Sequence, residues 1–252
     1  MSDILSTPQQ LTTPSGFVFS GANLDDLESS EYTIVTIVVD DSGSVHGFRQ
    51  ELEDTVKTVL QSCEKSPRAE NLLVRFVTFN TRLNEVFGFR MLDQISLDEI
   101  NGSVNPGGGT NLFDAVQSAV EATYDYGKLL TDQDYFVNGV IYVITDGADT
   151  GSGRSPATIK SYIDQQLQDE EGLESMSVIL IGVGYGNCAP YLDRFKNEAN
   201  LNQFVDLQEL FAKTSPETAL AKLAGYVSQS ISTTSMALSS GSSSPDSSLL
   251  IF

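Results

Sequence analysis

The sequence predicts an α/β protein in which a mostly parallel sheet carries helices on both faces. Apolar, β-branched runs of strand length alternate with longer segments whose apolar residues recur at helical spacing. Parallel strands need such crossover helices between them, and strands covered on both faces consist almost entirely of apolar residues. The chain has 252 residues, and 40% of them are apolar, which is enough for one such domain with extensions.

The first half of this domain is predicted to contribute three strands. A buried strand over residues 32–39 precedes a helix over residues 45–63, whose apolar positions fall on one face. Residues 72–79 form the second strand. Residues 83–89 follow a short turn and form the third strand, which we expect to be antiparallel at the sheet edge. Residues 91–106 are expected to form a short helix and a loop.

The second half repeats the alternation and adds three more strands. The helix at 156–168 begins with a proline, which is favoured at the first position of a helix. The predicted elements are, in order, a helix that starts after Thr110, a strand at 139–145, a helix at 156–168, a strand at 176–183, a helix at 189–199, a short strand at 203–205 and a closing helix from 216 to about 230.

Oxygen-bearing side chains follow the first strand directly. Its apolar run ends in Asp40, Asp41, Ser42, Gly43 and Ser44. The alternate residues Asp40, Ser42 and Ser44 are spaced to direct one carboxylate and two hydroxyls toward a common point. Oxygen-only ligands suit a hard divalent cation rather than zinc or copper. Serine and aspartate also cap helices and form turns, so this pattern alone leaves both interpretations open.

Two later segments carry matching features. Gly107, Gly108 and Gly109 precede Thr110 and a helical pattern, and Asp146 follows the apolar strand at 139–145. The glycines permit positive φ angles and a close approach of their backbone to the first loop. The chain therefore has three polar loops, each next to a strand or a helix of the predicted sheet.

Taken in order, the three segments resemble the ligand loops of the von Willebrand factor A (vWA) family, which form its metal-ion-dependent adhesion site. The resemblance covers about residues 31–230 and implies a doubly wound, Rossmann-like sheet of six strands in the order 3-2-1-4-5-6, with the third strand antiparallel. The order then reverses between the first and fourth strands, where ligands bind in such sheets. The metal-site residues implied by the resemblance are Asp40, Ser42, Ser44, Thr110 and Asp146.

The resemblance also implies which of these residues contact the ion directly and which act through water. Ser42 and Ser44 ligate the cation directly, and Thr110 joins them in the binding-competent state. Asp40 and Asp146 act largely through water. The expected ion is Mg²⁺ or Mn²⁺, which keeps a coordination position for a Glu or Asp of a partner protein.

The function implied is that of a non-catalytic, metal-dependent protein-binding module. Relatives of the intracellular type imply an AAA+ ATPase, including the MoxR type, as a partner. A metal-assisted hydrolase or phosphatase is a second hypothesis, but the sequence contains no Gly-x-Ser-x-Gly elbow, and its one histidine, His46, has no evident nucleophile partner. A structural subunit of a phage particle or surface assembly is the third. Asp114 and Asp149 are expected to be caps or turn formers rather than ligands.

Composition and termini set limits on partners and location. The net charge of −20 argues against nucleic acid, whose phosphates would be repelled. The sequence shows no apolar run of about 18 residues and no secretory signal, so we expect no membrane contact. Cys63 and Cys188 lack metal-ligand spacing and are expected to be reduced thiols. Together these features favour a cytoplasmic protein.

Extensions are predicted on both sides of the vWA domain, which is placed at residues 31–231. Residues 1–30 are rich in Ser, Thr, Pro and Gly and are expected to form a flexible arm, with an apolar patch at 17–19 that adds an edge strand or packs on the domain. Residues 232–252 are predicted to be a Ser-rich disordered tail. Its apolar end, 249–252, is either a loosely docked terminus or a linear motif for a partner's groove.

Overall fold

The computed structural model describes residues 9–24, 27–166, 172–183, 188–207 and 213–240. Its centre is one six-stranded sheet, with helices packed on both faces. The predicted fold class is therefore confirmed.

The sheet has the predicted topology. Its strand order is β5-β4-β3-β6-β7-β8, which is 3-2-1-4-5-6 when only these six strands are counted. Only the pairing of β5 with β4 is antiparallel within this sheet. Its strands are β3 (Glu31–Asp40), β4 (Leu72–Phe79), β5 (Leu83–Met91), β6 (Phe136–Thr145), β7 (Ser175–Gly182) and β8 (Gln203–Asp206); before them in the chain, β1 (Gln9–Thr12) and β2 (Val18–Gly21) form a separate hairpin.

Five α-helices lie within the described residues, and none of them is both long and apolar enough to cross a membrane. The stretch at 91–106, expected to hold a short helix, contains two 3₁₀ turns instead, Leu92–Gln94 and Leu97–Ile100. The helices are α1 (Arg49–Glu64), α2 (Leu112–Thr131), α3 (Pro156–Gln166), α4 (Ala189–Glu198) and α5 (Pro216–Ser240).

The central strand β3 is sandwiched between two apolar layers. Val35, Ile37 and Val39 pack in a cluster with residues of α1 and α5. Val38 points to the opposite face and packs with residues of α2, α3 and α4. Alternate residues of a strand face opposite sides of the sheet, so a strand covered twice must be apolar at nearly every position. Cys63 of α1 lies in the first cluster as a free, buried thiol.

The N-terminal arm is ordered over residues 9–24, which corrects the prediction of a flexible arm for that stretch. Phe19 is 1% exposed, and its ring meets that of Phe89 edge-on, with 6.0 Å between centroids. The backbone N–H of Ala22 donates to the hydroxyl of Tyr126 at 3.2 Å. A side chain at Gly88 would lie 2.4 Å from Ser20, so the glycine is what lets β2 approach β5. The expected packing of the patch at 17–19 is therefore found.

Helix α5 continues past its predicted end near residue 230 and reaches Ser240. Ile231 is fully buried, and the side-chain amide of Asn138 donates to the carbonyl oxygen of Thr234 at 2.8 Å. These contacts with distant parts of the chain keep a Ser/Thr-rich segment helical. The boundary predicted at residue 232 thus falls inside α5, and the apolar end at 249–252 lies outside the described residues.

Replacement of Phe19 tests whether the hairpin contributes to stability. Phe19→Ala should lower the free energy of unfolding by about 3 kcal/mol, because a buried aromatic ring is lost from a packed site. Val18→Ala is the matched control, since Val18 is 57% exposed, and it should change the value by no more than about 0.5 kcal/mol. Urea denaturation measures both. Equal losses in the two variants would show that docking of Phe19 contributes little.

Candidate metal centre

The polar residues gather where β3 and β6 end side by side. The two strands are parallel neighbours, and their pairing continues to Val39 and Ile144. Asp40 is the last residue of β3, and Asp146 follows the last residue of β6. The chain leaves these strands toward opposite sides of the sheet, since β4 lies beyond β3 and β7 beyond β6. This is the reversal point at which ligands bind in open α/β sheets.

A continuous set of hydrogen bonds links four of the five predicted residues. The backbone N–H of Ser42 donates to Oδ1 of Asp40 at 2.8 Å. The hydroxyls of Ser42 and Ser44 lie 2.9 Å apart, and Ser44 donates to Oδ1 of Asp146 at 2.9 Å. The second oxygen of Asp40 accepts from the Thr145 hydroxyl at 2.5 Å. Two carboxylates and two hydroxyls from two loops therefore converge.

The first loop runs into a 3₁₀ helix, Gly43–Phe48, before α1 begins. Ser42 is the N-cap residue of this turn, but its side chain makes no capping hydrogen bond. Its hydroxyl instead faces that of Ser44. Ser42 therefore does not cap this helix through its side chain, which was one of the two interpretations that the sequence left open.

The glycine loop is tied to the first loop by backbone hydrogen bonds. The N–H of Gly43 donates to the carbonyl of Gly108 at 3.1 Å, and the N–H of Gly107 donates to the carbonyl of Asp41 at 2.9 Å. Of the three consecutive glycines, only Gly108 has a positive φ, +75°. A side chain at Gly109 would lie 2.8 Å from the hydroxyl of Thr150. The expected close approach of this loop is confirmed.

Thr110 is brought to the same edge of the sheet, but its hydrogen bonds run elsewhere. Its N–H donates to the hydroxyl of Thr150 at 2.8 Å, and its carbonyl accepts from the N–H of Thr150 at 2.8 Å. Its side chain is not part of the hydrogen-bonded set around Asp40 and Asp146. Sequence reasoning missed both Thr150 and Thr145. The sequence offered one signal for them, which is that both carry a hydroxyl and lie close to Asp146 in the chain.

Asp114 and Asp149 are turn formers, as expected. The carboxylate of Asp149 accepts from the N–H of Phe113, near the start of α2, at 3.2 Å and from the N–H of Ser152 at 3.1 Å. The carboxylate of Asp114 accepts from two consecutive backbone N–H groups, those of Gly153 and Arg154. His46 is exposed. These aspartates hold the loop that follows Asp146 against the start of α2.

The carboxylates of the site lack a cationic partner. Burial, and to a smaller extent the nearby charge of Asp40, raise the pKa of Asp146 to about 6. Burial likewise raises the pKa of Asp40, which is fully enclosed, although hydrogen bonds from Ser42 and Thr145 oppose this. Neither carboxylate takes part in an ion pair among the described residues. A cation between them would relieve both the burial cost and the mutual repulsion.

Neutral hydroxyls make up the rest of this donor set. Within the described ranges, no cluster of three or more His, Cys, Asp or Glu side chains is arranged to hold a metal. The candidate centre therefore depends on combining two carboxylates with serine oxygens. Such a set fits a hard cation better than a soft one.

The family assignment rests on a match to most of the chain. The model of the von Willebrand factor type A domain matches residues 35–221, which include all three loops. The chain belongs to the von Willebrand factor type A domain family. Domains of this family are typically metal-dependent protein-interaction modules. The recognition made from the three loops is thereby confirmed.

Solved structures show the same vWA fold. A D319A mutant of the PilB minor pilin from Streptococcus sanguinis is 16% identical with a TM-score of 0.57, and the match covers 86% of this chain and 65% of that one. Proximal thread matrix protein 1 from the mussel byssus, with a zinc-occupied MIDAS motif, is 19% identical with a TM-score of 0.50, covering 79% and 46%. This chain spans less than two thirds of both. No curated protein matches it.

Asp146→Asn tests the electrostatic strain at the centre. In metal-free protein at pH 7, this variant should raise the free energy of unfolding by about 1 kcal/mol, a value discounted because the side chain is partly exposed. Folding raises the pKa of Asp146 from 3.8 to about 6, so the charged carboxylate destabilises the folded state above pH 6. The gain should decline as the pH falls below about 6 and vanish only below 3.8, where Asp146 is protonated in both the folded and the unfolded state.

Chemical unfolding in EDTA at several pH values measures this gain. Asp93→Asn is the control, because it removes the same charge from an exposed site. If the control gains as much free energy of unfolding, the effect comes from the overall charge of −20 rather than from the metal centre.

Proposed function

We propose that this vWA domain holds Mg²⁺ or Mn²⁺ through Asp40, Ser42, Ser44, Thr110 and Asp146 and uses it to bind an acidic side chain of a partner protein. The observation that carries the proposal is the hydrogen-bonded set of oxygen atoms that joins Asp40 to Asp146 through two serine hydroxyls. Two carboxylates in contact with hydroxyls, without an ion-pair partner among the described residues, are an arrangement that a divalent cation stabilises.

The surroundings of each carboxylate support different roles for them. Asp40 is fully buried, and both of its oxygens already accept hydrogen bonds, from Ser42 and Thr145. It therefore acts mainly by orienting the first loop and by adding negative charge. Asp146 is half-buried and accepts a hydrogen bond from the exposed Ser44, which supports a position for it at the open side of the centre.

The serines and the glycine loop complete the proposed ligand set. Ser42 is buried and Ser44 is exposed, so their paired hydroxyls extend from the interior toward solvent. Thr110 lies on a loop whose backbone is bonded to the first loop through Gly43 and Asp41. Two hydrogen bonds between Thr110 and Thr150 also connect the glycine loop to the loop that carries Asp146.

The bound ion would supply a positive charge with a position for a carboxylate from outside. Because the hydroxyls are neutral and Asp40 and Asp146 would act largely through water, the ion would keep much of its charge and attract a further acidic group. The net charge of −20 opposes an acidic partner at long range, but salt screens charges beyond about 8 Å. At contact the ion is the nearest charge to the partner's carboxylate.

The proposed activity is binding rather than catalysis. The one histidine, His46, is exposed in the 3₁₀ turn. We propose an AAA+ ATPase of the MoxR type as the class of partner and the cytoplasm as the location. The zinc in the mussel protein's MIDAS motif belongs to that structure. The oxygen donors of this chain favour the harder ions Mg²⁺ and Mn²⁺.

Chelation and substitution test the proposal together. Partner proteins retained from a cell lysate by the immobilised chain in Mg²⁺ should be released by EDTA and retained again when Mg²⁺ or Mn²⁺ is restored. Asp146→Ala and Thr110→Ala should lose both Mg²⁺ binding, measured by calorimetry, and partner retention. Both should still unfold cooperatively, because the side chains lie at loop ends rather than in the two main apolar clusters.

Matched controls separate the centre from the general surface. His46→Ala changes an exposed residue beside the centre, and Asp93→Ala removes an exposed carboxylate elsewhere; both should keep metal and partner. Partner retention that survives EDTA would mean that another surface is used. Mg²⁺ binding that survives Asp146→Ala would remove this residue from the ligand set.

A further inference from the structure

The turn of the N-terminal hairpin, residues 13–17, contacts the loop at residues 146–155, which we call the third loop. Nη2 of Arg154 donates to the carbonyl oxygen of Ser15 at 3.4 Å, and its guanidinium carbon lies 5.3 Å from the ring centroid of Phe17. That distance lies within the range of a cation–π interaction. Phe17 and Arg154 are both partly buried. The side chain of Arg154 therefore joins the hairpin to the third loop.

The hairpin turn is itself held in place by a buried carboxylate of α2. Ser15 donates its backbone N–H to Oε2 of Glu121 at 3.2 Å and its hydroxyl to Oε1, and Glu121 is 1% exposed. Hydrogen bonds to a charged acceptor are stronger than neutral ones. Within the turn, the N–H of Gly16 donates to the carbonyl oxygen of Thr13 at 2.8 Å. The turn is therefore a fixed support for the side chain that rests on it.

The backbone of the third loop is attached to α2 and to the glycine loop. The N–H groups of Gly153 and Arg154 donate to the carboxylate of Asp114 at 3.1 and 3.0 Å. Thr150 is bonded to Thr110 through its backbone N–H and its hydroxyl. Arg154 lies one residue before the end of the loop, so its side chain adds an attachment to the hairpin there. That end of the loop is thus held between α2 and the hairpin.

We propose that Arg154 is a positioning residue for the metal centre, through which the N-terminal hairpin holds the third loop and thereby Asp146. This role rests on the proposed function, since it concerns binding of the ion. Mg²⁺ requires nearly octahedral geometry with short bonds, so a loop that samples more positions binds it less tightly. Ser15 and Phe17 precede the segment matched by the family model, which begins at residue 35. The support therefore comes from outside the recognised domain.

The charge of Arg154 separates positioning from electrostatics by the sign of the effect. Removal of a positive charge near the centre would by itself strengthen the binding of a dication, because the protein becomes more negative. Loss of positioning weakens that binding instead. Weaker Mg²⁺ binding in Arg154→Gln would therefore not come from the lost charge.

Calorimetric titration of the full chain with Mg²⁺ tests this role. Arg154→Gln and Phe17→Leu should each raise the Kd for Mg²⁺ about tenfold, which is the lower end of the effect of residues that orient metal ligands from outside the coordination shell. The double variant should bind no more weakly than either single variant, because both changes remove the same contact.

Arg90→Gln is the matched control, and it should leave the Kd unchanged. The guanidinium carbon of Arg90 also lies over a ring, 4.4 Å from the centroid of Phe87. Arg90 pairs with Val74 near the start of β4, at the end of the sheet away from the metal centre. The control therefore removes the same charge and the same kind of contact without touching the third loop.

Amide hydrogen exchange in EDTA gives a readout that needs no ion. In Arg154→Gln and Phe17→Leu, the backbone N–H groups of residues 147–154 should exchange at least about threefold faster than in the wild-type chain. Arg90→Gln should leave their exchange unchanged. If the wild-type chain does not bind Mg²⁺, the proposed function fails, and exchange alone decides whether Arg154 holds the loop.

Three results would overturn the role of Arg154. They are an unchanged or lowered Kd in folded Arg154→Gln, unchanged exchange of its third loop, and additive losses of affinity in the double variant. Urea denaturation shows whether each variant is folded. If Phe17→Leu does not fold, the comparison of Arg154→Gln with Arg90→Gln decides.

Discussion

Asp40 and Asp146 carry like charges at the ends of two adjacent parallel strands, and much of the surrounding structure holds them in that unfavourable arrangement. Pairing along most of β3 and β6 fixes the separation of their backbones. Hydrogen bonds from Ser42, Ser44 and Thr145 then orient the carboxylates. An apolar sheet covered on both faces is stable enough to tolerate such local strain, which is commonly concentrated at functional sites.

The three loops behave as one unit because their backbones are bonded to each other. Gly43 and Gly107 connect the first loop with the glycine loop, and Thr150 connects the glycine loop with the loop after β6. Asp149 anchors that last loop to the start of α2. A displacement of any one loop would therefore strain the others.

The sheet and the candidate centre were predictable because their signals are local. Continuous apolar runs identify buried strands, and Asp40, Ser42 and Ser44 stand at fixed spacing directly after one of them. The order of the arm outside the 17–19 patch and the end of α5 were not predicted, because both depend on distant partners. Phe19 needs Phe89, and Thr234 needs Asn138. No periodicity within a Ser-rich or Gly-rich segment carries that information. The roles of individual site residues remain predictions.

The hairpin lies entirely outside the segment matched by the family model, which begins at residue 35 and ends at residue 221. A recombinant fragment cut at those limits would lack Phe19 and the buried end of α5 at Ile231. It would expose the rings of Phe89 and Tyr126 to water, with the charge of Arg75 beside them. A fragment made for expression should therefore start no later than residue 9 and extend beyond Ile231, so that both buried side chains are kept.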